Sequence, residues 1–323
     1  MKVQRMIAWT ALLALVSGCE AIGTEGGPSY SGRVTQVVAP EVIPISENGM
    51  ATADGRFFVV GGHRLYEIAG GPVAFRAEQL LDERCTLSGG VARGNVLYLA
   101  CTGEDELNAT ASLLRVDPNR PGGLDVRRVD FPGTGNPILL NGMDFGPDGS
   151  LYISNTQALI SGDPAVYRVQ ILREDPLTIE VSPFLDATIL TEGVRGSGDI
   201  APNGIRIEGD TMYFSRGFSL VKLSLRPDGS HGPPTLIYAT DSLSGIDDFD
   251  LVEGRLFVAQ VGLLDVALGS PVDSMLLTLN TNGRRLARRR LNFRPSSTTV
   301  VADGALMITS YFGGGLYRIP ADR

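Results

Sequence analysis

The chain has 323 residues, a formal charge of −8, and 43% hydrophobic but only 7% aromatic residues. An acidic balance of this size makes it a poor partner for nucleic acid or for an anionic membrane surface. Two histidines and three cysteines leave little for a soft-metal centre.

Lys2 and Arg5 give a short positive start, and Met6–Val16 is an apolar run too short to span a bilayer, which needs ~20 residues. It closes on Val16-Ser17-Gly18-Cys19, which resembles the bacterial lipobox. Residues 1–18 are therefore expected to be a lipoprotein signal peptide and Cys19 the lipidated first residue. Removal of Lys2 and Arg5 takes the charge from −8 to −10. Residues 19–32, rich in Gly, Ser, Pro and acid, read as a flexible tether. The expected location is the cell envelope, with the membrane reached through the lipid alone. Glu20 after Cys19 leans towards the outer membrane.

Residues 33–323 carry one pattern six times. An apolar strand follows a polar residue, a Gly-containing turn comes next, and then an alternating strand of the Leu-Tyr-Ile-Ser type. The turns are Ala53-Asp54-Gly55, Arg93-Gly94-Asn95, Pro147-Asp148-Gly149, Glu208-Gly209-Asp210, Glu253-Gly254 and Ala302-Asp303-Gly304. Period-2 alternation bounded by Gly and Asp is a strand signal, and no useful length shows helical spacing. Self-similarity at ~40–60 residues with four strands per unit predicts an all-β chain, a six-bladed β-propeller. The last unit ends after its third strand, near Pro320, and Arg33–Ala39 is a strand without a partner. The N-terminal strand is expected to close the last blade and cover its edge. We expect a monomer.

Cys85 and Cys101 flank one hairpin-like unit and outside the cytoplasm can form a disulfide, the alternative being two buried thiols. The cluster Arg284, Arg285, Arg288, Arg289 and Arg290 reads as a solvated strand and turn. Gly313-Gly314-Gly315 lacks the lysine and helix start of a phosphate loop and reads as a turn.

Residues just before the innermost strands converge at one end of a propeller's channel. In order they are Glu47, Ser88, Asn141, Asn203, Asp247 and Ser296 or Ser297, each with a side-chain oxygen. Carboxylates mixed with carboxamides suit a hard cation such as Ca²⁺, which takes six to eight oxygens. The competing reading is that Asn48-Gly49, Asn141-Gly142 and Asn203-Gly204 are tight turns. Each blade already has its hairpin turn a few residues later, however.

At these residues the sequence resembles two related propeller families: the senescence-marker, gluconolactonase and luciferin-regenerating family, and the paraoxonase-like arylesterases and lactonases. The carriers are Asn141–Tyr152, Pro202-Asn203-Gly204-Ile205, Gly245-Ile246-Asp247-Asp248-Phe249 and Ser46-Glu47-Asn48-Gly49. The resemblance implies a calcium ion held by Glu47, Asn141, Asn203 and Asp247. It also implies hydrolysis of a lactone or small ester, with Asp247 or Asp248 as general base. Two departures stand out. Where paraoxonase-like proteins have a mouth histidine, this chain has Ser88-Gly89. Glu47 and Asn141 are followed by Asn48 and Gly142, not aspartate, so a second, deeper calcium is not expected. A non-catalytic envelope propeller that binds a small ligand or a protein, and a metal-independent strictosidine-synthase-like propeller, are the other readings. Substrate choice is expected to lie in the loops Gln157–Pro164 and Leu190–Ile200.

Overall fold

A computed structural model describes residues 27–71, 74–103, 110–121, 123–132, 138–156, 165–186, 202–240, 244–262 and 273–322. The signal segment, Cys19 and both expected specificity loops lie outside the described residues.

The described chain is built of strands grouped in six four-stranded antiparallel sheets. Blade one holds β2 (Asn48–Ala51), β3 (Phe57–Gly61), β4 (Arg64–Gly71) and β5 (Ala74–Asp82). Blade two holds β6 (Thr86–Arg93), β7 (Val96–Thr102), β8 (Ala111–Asp117) and β9 (Asp125–Asp130). Blade three holds β10 (Leu140–Phe145), β11 (Leu151–Asn155), β12 (Val166–Glu174) and β13 (Leu177–Leu185). Blade four holds β14 (Pro202–Glu208), β15 (Thr211–Arg216), β16 (Ser219–Ser224) and β17 (Thr235–Ala239). Blade five holds β18 (Ser244–Val252), β19 (Arg255–Gly262), β20 (Met275–Asn280) and β21 (Arg285–Arg290). Blade six holds β22 (Thr298–Val300), β23 (Leu306–Thr309) and β24 (Leu316–Ile319), and its outer strand is β1 (Thr35–Val38). Thr35 pairs with Arg318 and Val38 with Leu316, which closes the ring as the unpartnered N-terminal strand implied.

The core is divided among the seams. Each apolar cluster joins two neighbouring blades: Tyr152 with Phe214, Leu140 with Leu113, Phe58 with Leu99, Val59 with Met307, Phe249 with Tyr213, and Phe257 with Ile308. A blade's two faces are buried only by its neighbours, so the alternating strands are apolar on both faces. Each such side chain contributes roughly 1.5–3 kcal/mol through burial. Cys85 and Cys101 are joined by a disulfide that ties the start of blade two to β7, with Cα atoms 5.4 Å apart.

The segment expected to be a free tether is docked from Gly27 onward. Arg255 donates to the Pro28 carbonyl (2.9 Å), and the Tyr30 hydroxyl donates to the Gly304 carbonyl (2.9 Å). The Tyr30 ring meets Phe257 edge-on at 5.0 Å. Ser29 and Ser31 bond Asp322, which those donors hold at about 2, below the usual carboxylate range. Arg289 donates to the carbonyls of Tyr30, Ser31 and Gly32, so one member of the arginine cluster is a latch while Arg285 and Arg288 remain exposed. The strap crosses the hairpins β18–β19 and β22–β23, at the end opposite the channel mouth. Arg289→Ala should leave three carbonyls without their donor and cost about 1–2 kcal/mol. That corresponds to a melting midpoint lower by roughly 2–6 °C. An unchanged midpoint together with unchanged protease resistance of residues 27–32 would show that the latch is ornamental.

Candidate metal and active site

Four inner strands are bulged where they begin. The pairing register slips between Leu87 and Gly89, Leu140 and Met143, Pro202 and Ile205, and Ile246 and Phe249. The residues inside the slips are Ser88, Asn141-Gly142, Asn203-Gly204 and Asp247-Asp248. A bulge re-aims a side chain out of the ladder, and so it presents these groups to the channel.

The Asn-Gly pairs are therefore not hairpin turns. Gly142 and Gly204 lie within inner strands, and their role is close approach between blades. A Cβ on Gly142 would fall inside the Asn203 carbonyl, and one on Gly204 inside the Asp248 carboxylate. Gly89 is pressed in the same way against the Asn141 carbonyl.

The top layer brings together Glu47, Asn203 and Asp247. Asn203 Nδ2 donates to Asp247 Oδ1 at 2.5 Å. Burial, then the charge of Asp248, pushes Asp247 up to about 7, against the lowering effect of the Asn203 bond. Burial, then the charges of Asp247 and Asp248, raises Glu47 well above its ordinary range. Glu47 Oε2 and Asn203 Oδ1 are both buried acceptors with no donor. Asn141 is buried in the same ring, on β10. Ser88 does not join it, because its hydroxyl donates to the Leu140 carbonyl at 2.5 Å. Ser296 likewise turns to the carbonyls of Ser46 and Glu47.

Asp248 belongs to the next layer. It accepts from Asn48 Nδ2 (2.7 Å), Ser297 Oγ (2.9 Å), Arg206 Nη2 (3.0 Å) and the Phe249 amide (2.8 Å). Four donors, one of them a guanidinium, occupy both oxygens of Asp248, whereas Asp247 is held through one oxygen. Arg206 spans the channel below, with Asp250 at 3.6 Å. Burial opposes its charge, and Asp248, Asp250 and Asp144 more than offset this. Beneath it a cavity of about 270 Å³, walled in part by Met50, Val91, Asp144, Asp250 and Val300, opens at the lower end. Asp144 and Asp250 there accept the amides of Ile207 and Val300, the free edges of the next blades' inner strands.

Among the described residues no three His, Cys, Asp or Glu side chains gather into a metal-binding group on their own. Any cation at the mouth would rely on carboxamide oxygens beside Glu47 and Asp247, the mixed set that calcium accepts. Both histidines bond backbone carbonyls, His63 that of Cys85 and His231 that of Gly232.

No protein-family model matches the chain, and no curated protein matches it in sequence. Solved structures do. A gluconolactonase from Xanthomonas campestris aligns with a TM-score of 0.61 over 91% of this chain and 94% of its own, at 15% identity. A putative gluconolactonase aligns at 0.62 over 90% and 93%, at 14% identity. The chain shares the propeller fold of these gluconolactonases. A virginiamycin B lyase from Staphylococcus aureus, solved with quinupristin, aligns at 0.52 over 89% and 88%, at 12% identity. The gluconolactonase fold carries more than one chemistry, so the reaction has to be argued from the mouth residues.

Three residues that the sequence reading passed over complete the site. Ser154, Ser215 and Thr309 end the second strands of blades three, four and six, and each donates to the main chain of the next blade's mouth residue. The signal was present in the Leu-Tyr-Ile-Ser pattern, whose last residue reads as an ordinary strand end.

Proposed function

We propose that the protein is a calcium-dependent hydrolase of a lactone or small ester, working at the channel mouth. The observation that carries this reading is the pair of donorless buried acceptors, Glu47 Oε2 and Asn203 Oδ1, in the same ring as the crowded Asp247. Buried acceptors without donors cost roughly 1–3 kcal/mol each, and adjacent buried carboxylates repel. A divalent cation relieves both problems at once.

Glu47, Asn203 and Asp247 would hold the ion, with Asn141 beside them. Calcium bound there would polarise a carbonyl oxygen and favour the charge that develops on it. Asp247, held through one oxygen by Asn203, would be the carboxylate that takes a proton from the attacking water. Asp248, tied by Arg206, Asn48 and Ser297, is held in place behind it. The matching lyase is inactive when one histidine is replaced by alanine. Here the bonds of both histidines go to the backbone carbonyls of Cys85 and Gly232, not to a mouth residue.

We further propose attachment to an envelope membrane through Cys19. The strap at the lower face would then turn the mouth away from the lipid.

The test is a panel of lactones and aryl esters given to the protein after chelation and again after calcium is restored. Turnover that returns with calcium and is lost in Asp247→Asn supports the reading. A calcium-loaded protein that turns over none of the panel would leave a ligand-binding propeller as the better account.

A further inference from the structure

The six second strands reach the mouth at equivalent positions, and those positions are not chemically alike. Three carry hydroxyls: Ser154, Ser215 and Thr309. Three are aliphatic: Val60, Ala100 and Ala259. Ser154 Oγ donates to the Asn203 carbonyl at 2.6 Å, Ser215 Oγ to the Asp247 carbonyl at 2.7 Å, and Thr309 Oγ1 to the Glu47 carbonyl at 2.8 Å. Each hydroxyl is also fixed to its own blade. Ser215 Oγ accepts from the Gly204 amide at 2.8 Å, Thr309 Oγ1 accepts from the Ser297 amide at 2.9 Å, and Ser154 Oγ lies 3.2 Å from the Gly142 carbonyl. Each is therefore a staple between one blade's inner strand and the main chain of the next blade's mouth residue.

The staples fall on three mouth residues and miss the fourth. Blade two offers Ala100 opposite its bulge, and its neighbouring hydroxyl, Ser88, holds Leu140 instead of Asn141. The stapled residues are also the ones that carry the donorless acceptors and the crowded carboxylates. A bulged main chain is free to rotate its peptide planes, and a shared hydroxyl removes that freedom before any ligand arrives.

We propose that Ser154, Ser215 and Thr309 are positioning residues that preset the main chain of Asn203, Asp247 and Glu47 for a cation. The proposal rests on the calcium reading above.

Calcium titration by calorimetry tests it, with the apo melting midpoint recorded for every variant. Ser215→Ala and Thr309→Val should each weaken calcium binding by about 10–100-fold, the usual effect of removing a group that orients a ligand. The hydroxyl-keeping variants Ser215→Thr and Thr309→Ser should restore wild-type affinity, which a purely structural role tied to side-chain volume would not give. If Thr309→Val does not fold, Ser215→Ala carries the same comparison with a smaller change of shape. Wild-type affinity in folded hydroxyl-deleted variants would overturn the staples while leaving the calcium site standing. A wild-type protein that binds no calcium would overturn both the staples and the calcium reading.

Discussion

Asp247→Asn should abolish calcium binding and at the same time make the metal-free protein more stable above neutral pH. The two effects have one cause. Asp247 and Glu47 are both held above their ordinary proton affinities, by burial and by their neighbours. A carboxyl whose folded pKa is raised contributes stability that is complete below the unfolded value, near 4. It is lost as pH climbs through the folded value, about 7 for Asp247. The metal-free wild type should therefore soften between about pH 4 and pH 7. The carboxamide that replaces Asp247 cannot ionise, so the variant should lose less stability over that window and melt a few degrees higher at pH 8. Its calcium affinity should fall by at least about 100-fold, since ligand charge sets affinity at such sites. Thermal melts of both proteins at pH 5 and pH 8, with chelator and with calcium, read both effects. A variant less stable than wild type at pH 8 without metal would mean that Asp247 is a structural carboxylate.

Gly142→Ala and Gly204→Ala should both be strongly destabilising. Neither glycine has a positive φ, so the backbone itself would accept alanine. The obstacle is the neighbouring blade, whose Asn203 carbonyl and Asp248 carboxylate occupy the space the Cβ needs. The Asn203 backbone cannot step aside without opening the seam, the Asp248 carboxylate is held by four donors, and overpacking of this kind costs about 3 kcal/mol. Gly71, where an added Cβ would meet nothing within 4 Å, is the control. Gly71→Ala should stay within about 0.5 kcal/mol of wild type. Chemical denaturation of the three variants checks this. Near-wild-type stability in Gly142→Ala would mean that the blades are packed more loosely at the mouth than the geometry indicates.

The blades were legible in the sequence because each seam repeats the same demand. Strands such as Leu151–Asn155 and Leu97–Ala100 must be apolar on both faces, and the Gly-Asp turns between them are fixed by hairpin geometry. The outer strands were not legible in the same way. Arg285–Arg290 is exposed, Asp125–Asp130 is largely half-buried, and both are charge-rich, so pairing to the strand inside them defines them and burial does not. The strap reads as linker by composition, and only the distant partners Phe257, Gly304 and Asp322 fix it in place.

At the mouth, Glu47, Asn141, Asn203 and Asp247 could be found because residues before inner strands must converge. What distinguishes Asp247 from Asp248 could not be read from their adjacency. That depends on Asn48, 200 residues away in sequence, and on Arg206, which looks like an ordinary exposed arginine in Gly204-Ile205-Arg206-Ile207. The same holds for the hydroxyls of Ser154, Ser215 and Thr309, whose partners lie on the following blade.

The most direct test of the calcium site is a calorimetric titration of calcium into wild-type protein at about pH 6.5, just below the proton affinity of Asp247, in two buffers of different ionisation enthalpy. The account predicts one ion per chain and a heat that differs between the buffers, because the ion displaces protons from Asp247 and Glu47. It also predicts an affinity that rises as pH increases through about 7. Absence of binding, or binding with no proton release and no dependence on pH, would contradict a calcium site built on these two carboxylates.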